Sequence, residues 1–119
     1  MVVVRSLLAF IVWGAVALTP ALAAPLCREP ELGGRGAPML SPPMANVVTG
    51  AGRLQFYSAP NLACAMNGIF VIPKDELIAY AQTVDGWASV TYTPRTGDAV
   101  SGWVRSARLK ETGTVGPKQ

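Results

Sequence analysis

The sequence predicts an all-β fold, a small barrel of about five strands, on the basis of three observations. Asp85-Gly86 is typical of a hairpin turn and opens an alternating strand from Trp87 to Tyr92. A second strand follows around Gly102-Trp103, ten residues after Tyr92. After residue 24, all seven aromatic residues fall between positions 56 and 103. We therefore expect the hydrophobic core within this region.

Residues 1–23 have the pattern of a secretory signal peptide. Arg5 supplies a positive charge, the run from 7 to 18 is almost uninterruptedly apolar, and Ala21-Leu22-Ala23 is a small-x-small exit. An uncleaved membrane anchor is the alternative, but the apolar run is shorter than the ~20 residues that a spanning helix needs. We expect cleavage after Ala23, no stable membrane insertion afterwards, and a periplasmic or secreted protein.

The processed chain has the length of one domain, 96 residues from Ala24 onward. It keeps nine basic and seven acidic residues, a net charge of +2 without a charged block. This balance does not indicate a nucleic-acid surface, so no nucleic-acid partner is expected.

Residues 24–51 are predicted to form a flexible spacer. The stretch from Pro25 to Gly52 contains five prolines, five glycines and no aromatic residue, which leaves little room for regular structure. Only Asn46–Thr49 is expected to join the edge of the barrel. The barrel itself is predicted over 52–110, and residues 111–119 are predicted to be a flexible tail.

Period-two alternation and turn residues place the elements of the barrel. In chain order they are a strand around Leu54 and Phe56, a short apolar run at 69–72, strands over 77–83 and 87–93, a turn at 94–98, a strand over 100–104, and one 3₁₀ turn at 105–107 before Leu109. Phe56, Phe70 and Val90 are predicted to point into the core.

This part of the sequence resembles the bacterial SH3-like (SH3b) domain. The resemblance rests on the glycine before each of Trp87 and Trp103, and on the alternation of Trp87, Ser89 and Thr91 with their neighbours. The resemblance covers about half of the chain. It implies an SH3-like barrel in a cell-envelope module that binds a ligand and does not catalyse a reaction.

Catalytic and metal sites are not expected, because the chain has no histidine. Histidine is the usual general base and the commonest metal ligand. Asp75, Glu76, Asp85 and Asp98 lie in predicted turns and are interpreted as turn or solvated residues. We therefore predict no enzyme activity, no cofactor and no metal.

The two cysteines, Cys27 and Cys64, are predicted to form a disulfide, since an even pair in an oxidising compartment is usually bridged. The alternative is two free thiols, if Cys27 lies too far out in the spacer.

Aromatic residues with a polar group are the candidate ligand-binding residues, because SH3-like barrels often use them to line a groove between the first loop and the hairpin tips. They are Tyr57, Tyr80, Trp87, Tyr92 and Trp103. Either tryptophan can instead be a core residue. We predict Tyr57 and Trp87 on the surface and Trp103 in the core. Arg95, Arg105 and Arg108 either rim the groove or provide solubility.

The resulting functional expectation is an exported binding module that recognises peptidoglycan, a stem peptide or an envelope protein. The alternative is a periplasmic inhibitor or immunity protein that caps a cell-wall-degrading enzyme or a toxin.

Overall fold

The fold is described from a computed structural model, which covers residues 24–115. The predicted signal peptide, residues 1–23, lies outside the described residues. The seven strands are β1 (Met39–Val48), β2 (Leu54–Tyr57), β3 (Ala65–Val71), β4 (Glu76–Gln82), β5 (Trp87–Tyr92), β6 (Val100–Arg105) and β7 (Leu109–Thr114). Short 3₁₀ segments occur at Ala24–Cys27, Leu62–Cys64 and Ser106–Arg108. The described residues contain no α-helix, which confirms the all-β prediction.

All strand pairs are antiparallel and form one open sheet in the order β3-β2-β6-β5-β4-β1-β7. The predicted meander is present, since β4 pairs with β5 and β5 pairs with β6. The 3₁₀ turn at Ser106–Arg108 then leads into β7. The sheet therefore has seven strands instead of about five, and its two edges are β3 and β7.

The segment predicted as a spacer contains β1, which lies inside the sheet between β4 and β7. The pairing with β4 advances from Met39 to Met44 on β1 while β4 advances only from Ala81 to Ala79. Pro42 falls within this irregularity, so its missing N–H does not interrupt the ladder. Pro42 and Pro43 thus both lie in the part of β1 where the pairing with β4 is irregular, which is where a strand tolerates proline.

The predicted tail also differs from the structure, because β7 continues to Thr114. Its register beside β1 runs from Val48↔Leu109 to Met44↔Thr114. A partner strand that the sequence did not indicate therefore orders residues 111–114.

The main core lies on one face of the sheet. Its buried residues are Val48, Leu54, Phe56, Val71, Leu77, Ala79, Ala88, Val90 and Val104. Phe56 and Val90 are therefore core residues, as predicted. Phe70 is only half-buried, in contrast to the prediction. It pairs with Gln55, which is adjacent to the inward-facing Leu54 and therefore out of phase with it.

The turn between β1 and β2 wraps around the side chain of Arg108. The guanidinium donates to the carbonyl oxygens of Thr49, Gly52 and Arg53, at 2.7 Å in the case of Gly52. Gly50 has a φ of +86°, and a Cβ there would lie 2.6 Å from Arg108 Nε. Arg108 is thus a structural residue of this turn and not the rim of a groove.

We expect Arg108→Ala to lower the free energy of unfolding by about 1–2 kcal/mol, because three backbone carbonyls lose a charged donor. Arg108→Lys should retain little of this stability, since a compact ammonium cannot reproduce the fork of donors. Urea unfolding followed by circular dichroism measures the effect, with exposed Lys110→Ala as the control. Equal stabilities for Arg108→Ala and Lys110→Ala would contradict the assignment.

Candidate binding surfaces

A second apolar cluster lies on the opposite face of the sheet from the main core. It contains the buried residues Ala37, Ala81, Trp87 and Trp103, with half-buried Tyr57 packed against them. Successive residues of a strand point to opposite faces, so Trp87 and Trp103 lie across the sheet from their core neighbours Ala88 and Val104. We call Tyr57, Trp87 and Trp103 the outer aromatic cluster.

A β-bulge in β4 makes room for this cluster. The pairing of β4 with β5 passes from Ala79↔Val90 to Ala81↔Ser89, so Tyr80 is an extra residue on β4. Ala79 belongs to the main core, whereas Ala81 packs with the outer aromatic cluster on the opposite face. The small side chain of Ala81 therefore lies on the same face as the two tryptophans.

Specific contacts orient the rings of the outer aromatic cluster. The Tyr57 and Trp87 rings meet edge to face, with centroids 4.9 Å apart and an interplanar angle of 83°. The Arg105 guanidinium lies 4.5 Å from the centre of the Trp87 ring, a cation–π contact. Trp103 Nε1 donates to Glu29 Oε1 at 2.8 Å. The buried indole thus has a partner for its polar group.

The segment 28–38, which we call the N-terminal strap, covers this face. It contributes fully buried Ala37 to the cluster and the Glu29 carboxylate to Trp103. A disulfide between Cys27 and Cys64 joins the start of the strap to the 3₁₀ segment before β3, with the two Cα atoms 5.5 Å apart. The predicted disulfide is therefore confirmed.

The exposure of the three clustered aromatic residues can be compared with the prediction. Trp103 is 0% exposed, as expected for a core residue. Trp87 is 3% exposed, so its predicted surface position is wrong. The period-two pattern does place Trp87 away from the main core, but Tyr57, Arg105 and the cluster that includes Ala37 of the strap bury it. Tyr57 is half-buried at the border of the same cluster.

Tyr80 and Tyr92 do not join the other three candidates. Tyr80 is the half-buried bulge residue of β4, and Tyr92 packs against the main core on the other face of the sheet. The five candidate residues therefore do not line a single groove.

A different cleft lies between β3 and the turn that joins β5 to β6. It has a volume of about 160 Å³. We call it the aromatic cleft, because its lining includes Phe70, Tyr92 and Pro94. The guanidinium of exposed Arg53 lies 4.1 Å from the centre of the Phe70 ring, so a positive charge lies against one of the lining residues. The sequence pattern placed Phe70 in the core and did not indicate that it lines this cleft. No local signal separates Phe70 from its apolar neighbours at 69–72, because its pairing opposite Gln55 is defined only by the sheet.

A larger, open groove of about 550 Å³ lies between the strap and the turn joining β4 to β5. Arg28, Pro60, Val84 and Asp85 are among its lining residues. Val84 lies in the turn and is 98% exposed. We call this the outer groove, and it carries both signs of charge.

The acidic residues show local turn contacts. Asp75 Oδ2 accepts from the Ile72 amide at 2.9 Å, and Asp85 Oδ1 accepts from Thr83 Oγ1. Within residues 24–115, no group of three or more potential ligands from His, Cys, Asp and Glu is placed to hold a metal ion. The same part of the chain includes no helix with the length and apolar character needed to cross a membrane.

Comparison with protein-family models finds no match, and comparisons with curated proteins and with solved structures find no significant relative. The SH3b resemblance therefore has no independent support from these comparisons.

Proposed function

We propose that this protein is an exported, non-catalytic binding module of the SH3b type, which uses the aromatic cleft to recognise a peptidoglycan fragment, a stem peptide or an envelope protein. The observation that carries the proposal is the cleft itself. It combines accessible aromatic surface from Phe70 and Tyr92 with the neighbouring charge of Arg53.

Two features support an SH3-like arrangement and export. The β4–β5–β6 meander is followed by a 3₁₀ turn and a last strand, which is the order that the resemblance implies. The Cys27–Cys64 disulfide is compatible with an oxidising compartment outside the cytoplasm. The absence of histidine from the chain supports binding over acid–base catalysis.

The size and lining of the cleft suit one apolar side chain or one sugar ring. Such a group can stack on the aromatic surface of Phe70 or Tyr92, and a neighbouring carboxylate of the ligand can approach Arg53. Aromatic residues in a small pocket are typical energetic centres of a binding interface.

Co-sedimentation with isolated cell-wall sacculi, together with binding to purified soluble peptidoglycan fragments, tests the proposal. We expect Phe70→Ala to weaken binding by about 30-fold, the effect of a hot-spot aromatic worth about 2 kcal/mol. Val84→Ala is the matched control, because it removes an exposed apolar side chain outside the cleft. Comparable binding by both variants would contradict a role for the cleft.

The outer groove favours a second candidate, an inhibitor or immunity protein that caps a cell-wall-degrading enzyme or a toxin. Its support is the size of the groove, its lining residues of both charges and the 98% exposed Val84 at its border. This candidate requires one tight protein partner at about 1:1 stoichiometry. Loss of that complex in Val84→Ala, but not in Phe70→Ala, would favour it over the first candidate.

A further inference from the structure

The N-terminal strap has few attachments to the sheet that it covers. Its internal hydrogen bonds are local, such as Gly33 N to Ala37 O at 2.8 Å. Ala37 is the only buried residue in the segment 28–38. At the far end, the Gln82 amide donates to Pro38 O at 3.3 Å. The strap contains two prolines and three glycines and forms no strand before residue 39. Its own structure therefore does little to hold it in place.

The disulfide supplies the covalent attachment at the other end of the strap. Cys27 precedes the strap directly, and its bond to Cys64 closes a loop with a sequence separation of 37. Without this bond, the strap depends on Ala37, on the Glu29–Trp103 hydrogen bond and on the connection to β1. The Cys27 end then has no covalent attachment to the sheet.

The two cysteines differ in access to solvent. Cys27 is exposed, whereas Cys64 is 4% exposed. The thiolate of a dithiol reductant can therefore attack Cys27 Sγ, forming a mixed disulfide and releasing the Cys64 thiolate. The second thiol of the reductant then closes a cyclic disulfide and releases the Cys27 thiolate. Two electrons pass from the reductant to the protein, and the two thiolates take up protons from solvent.

The sheet does not depend on the strap for its main core. That core contains no residue from 28–38, and its buried members come from the strands of the sheet. The strap and the main core also lie on opposite faces of β5 and β6. Opening of the strap therefore breaks no contact among the buried residues of the main core.

We propose that the strap is a redox-controlled cover, and that reduction of Cys27–Cys64 uncovers Tyr57, Trp87 and Trp103 without unfolding the sheet. This inference is independent of the proposed function, because the aromatic cleft lies elsewhere on the molecule. Oxidation closes the cover and reduction opens it. The opened face presents two indole rings and one phenol ring, together with the side chain of Ser89 on the same face of β5.

Tryptophan fluorescence with acrylamide quenching, with and without dithiothreitol, tests this proposal. The full chain is used as a Trp13→Phe variant, so that only Trp87 and Trp103 report. In the oxidised protein we expect both residues to be protected. Reduction should increase the quenching constant several-fold and shift the emission to longer wavelength. Removal of the reductant and reoxidation should restore protection.

Far-UV circular dichroism of the same samples separates opening of the strap from unfolding. The proposal requires an unchanged β-sheet spectrum and a cooperative urea transition in the reduced protein. Unchanged quenching after complete reduction would overturn it, because packing alone would then hold the strap. Loss of the sheet spectrum together with the gain in quenching would also overturn it, because the strap would then be inseparable from the fold.

A disulfide-free variant, Cys27→Ser with Cys64→Ala, provides the control for the reagent. It should show the high quenching of the reduced protein, and dithiothreitol should change it no further. Low quenching in this variant would contradict the proposal independently of the reductant.

Discussion

Trp103→Ala is expected to lower the free energy of unfolding by about 3–5 kcal/mol, a large fraction of the stability of a small domain. The ring is fully buried, and its loss leaves a cavity between β6 and the strap. It also leaves the Glu29 carboxylate without its indole donor. Urea unfolding monitored by circular dichroism measures the loss.

Two further variants separate packing from hydrogen bonding at Trp103. Trp103→Phe keeps an aromatic ring but removes the indole N–H, and Glu29→Gln keeps an acceptor oxygen but removes the charge. We expect both to be much less destabilising than Trp103→Ala, with losses of about 1–2 kcal/mol or less. A Trp103→Ala variant as stable as Trp103→Phe would show that the cavity closes or that the ring contributes little packing.

Removal of the disulfide should lower the free energy of unfolding by about 4 kcal/mol, because a loop of this length no longer restricts the unfolded chain. The variant Cys27→Ser with Cys64→Ala suits this test, since alanine avoids a buried hydroxyl at Cys64. Urea midpoints of the oxidised parent, the reduced parent and the variant should be compared. The last two are expected to agree.

A single-cysteine substitution is a useful check on this interpretation. Cys27→Ser alone leaves Cys64 as a free thiol and should be as unstable as the double variant. Equal midpoints for the oxidised parent and the double variant would mean that strain in the folded protein cancels the entropic gain.

Local patterns were sufficient for the central strands. The alternation around Leu54 and Phe56 predicts β2, and Asp85-Gly86 predicts the β4–β5 hairpin. The 3₁₀ turn after β6 was also predicted from its neighbours. The strands could be predicted because each contains its own hydrophobic period and ends at a turn residue.

Only the last three residues of β1 were predicted, as part of Asn46–Thr49, and β7 was not predicted, because neither strand shows a strong local signal. β1 contains Pro42 and Pro43, and β7 is an exposed strand with Lys110 and Glu111. Each acquires its structure from pairing with the other and, for β1, with β4. Non-local pairing of this kind overrides weak intrinsic preference.

The sequence by itself determined the all-β class, the central hairpins, the expectation of a disulfide and the inward positions of Phe56 and Val90. Tertiary structure alone decided where the aromatic residues are exposed. The period-two alternation of a strand shows which face of the sheet a side chain occupies. It does not show what covers that face. Here Ala37 of the strap, Tyr57 and Arg105 together bury Trp87, while Phe70 on the edge strand β3 stays partly open to solvent. Burial depends on contacts between segments far apart in the chain, and these are absent from any local pattern.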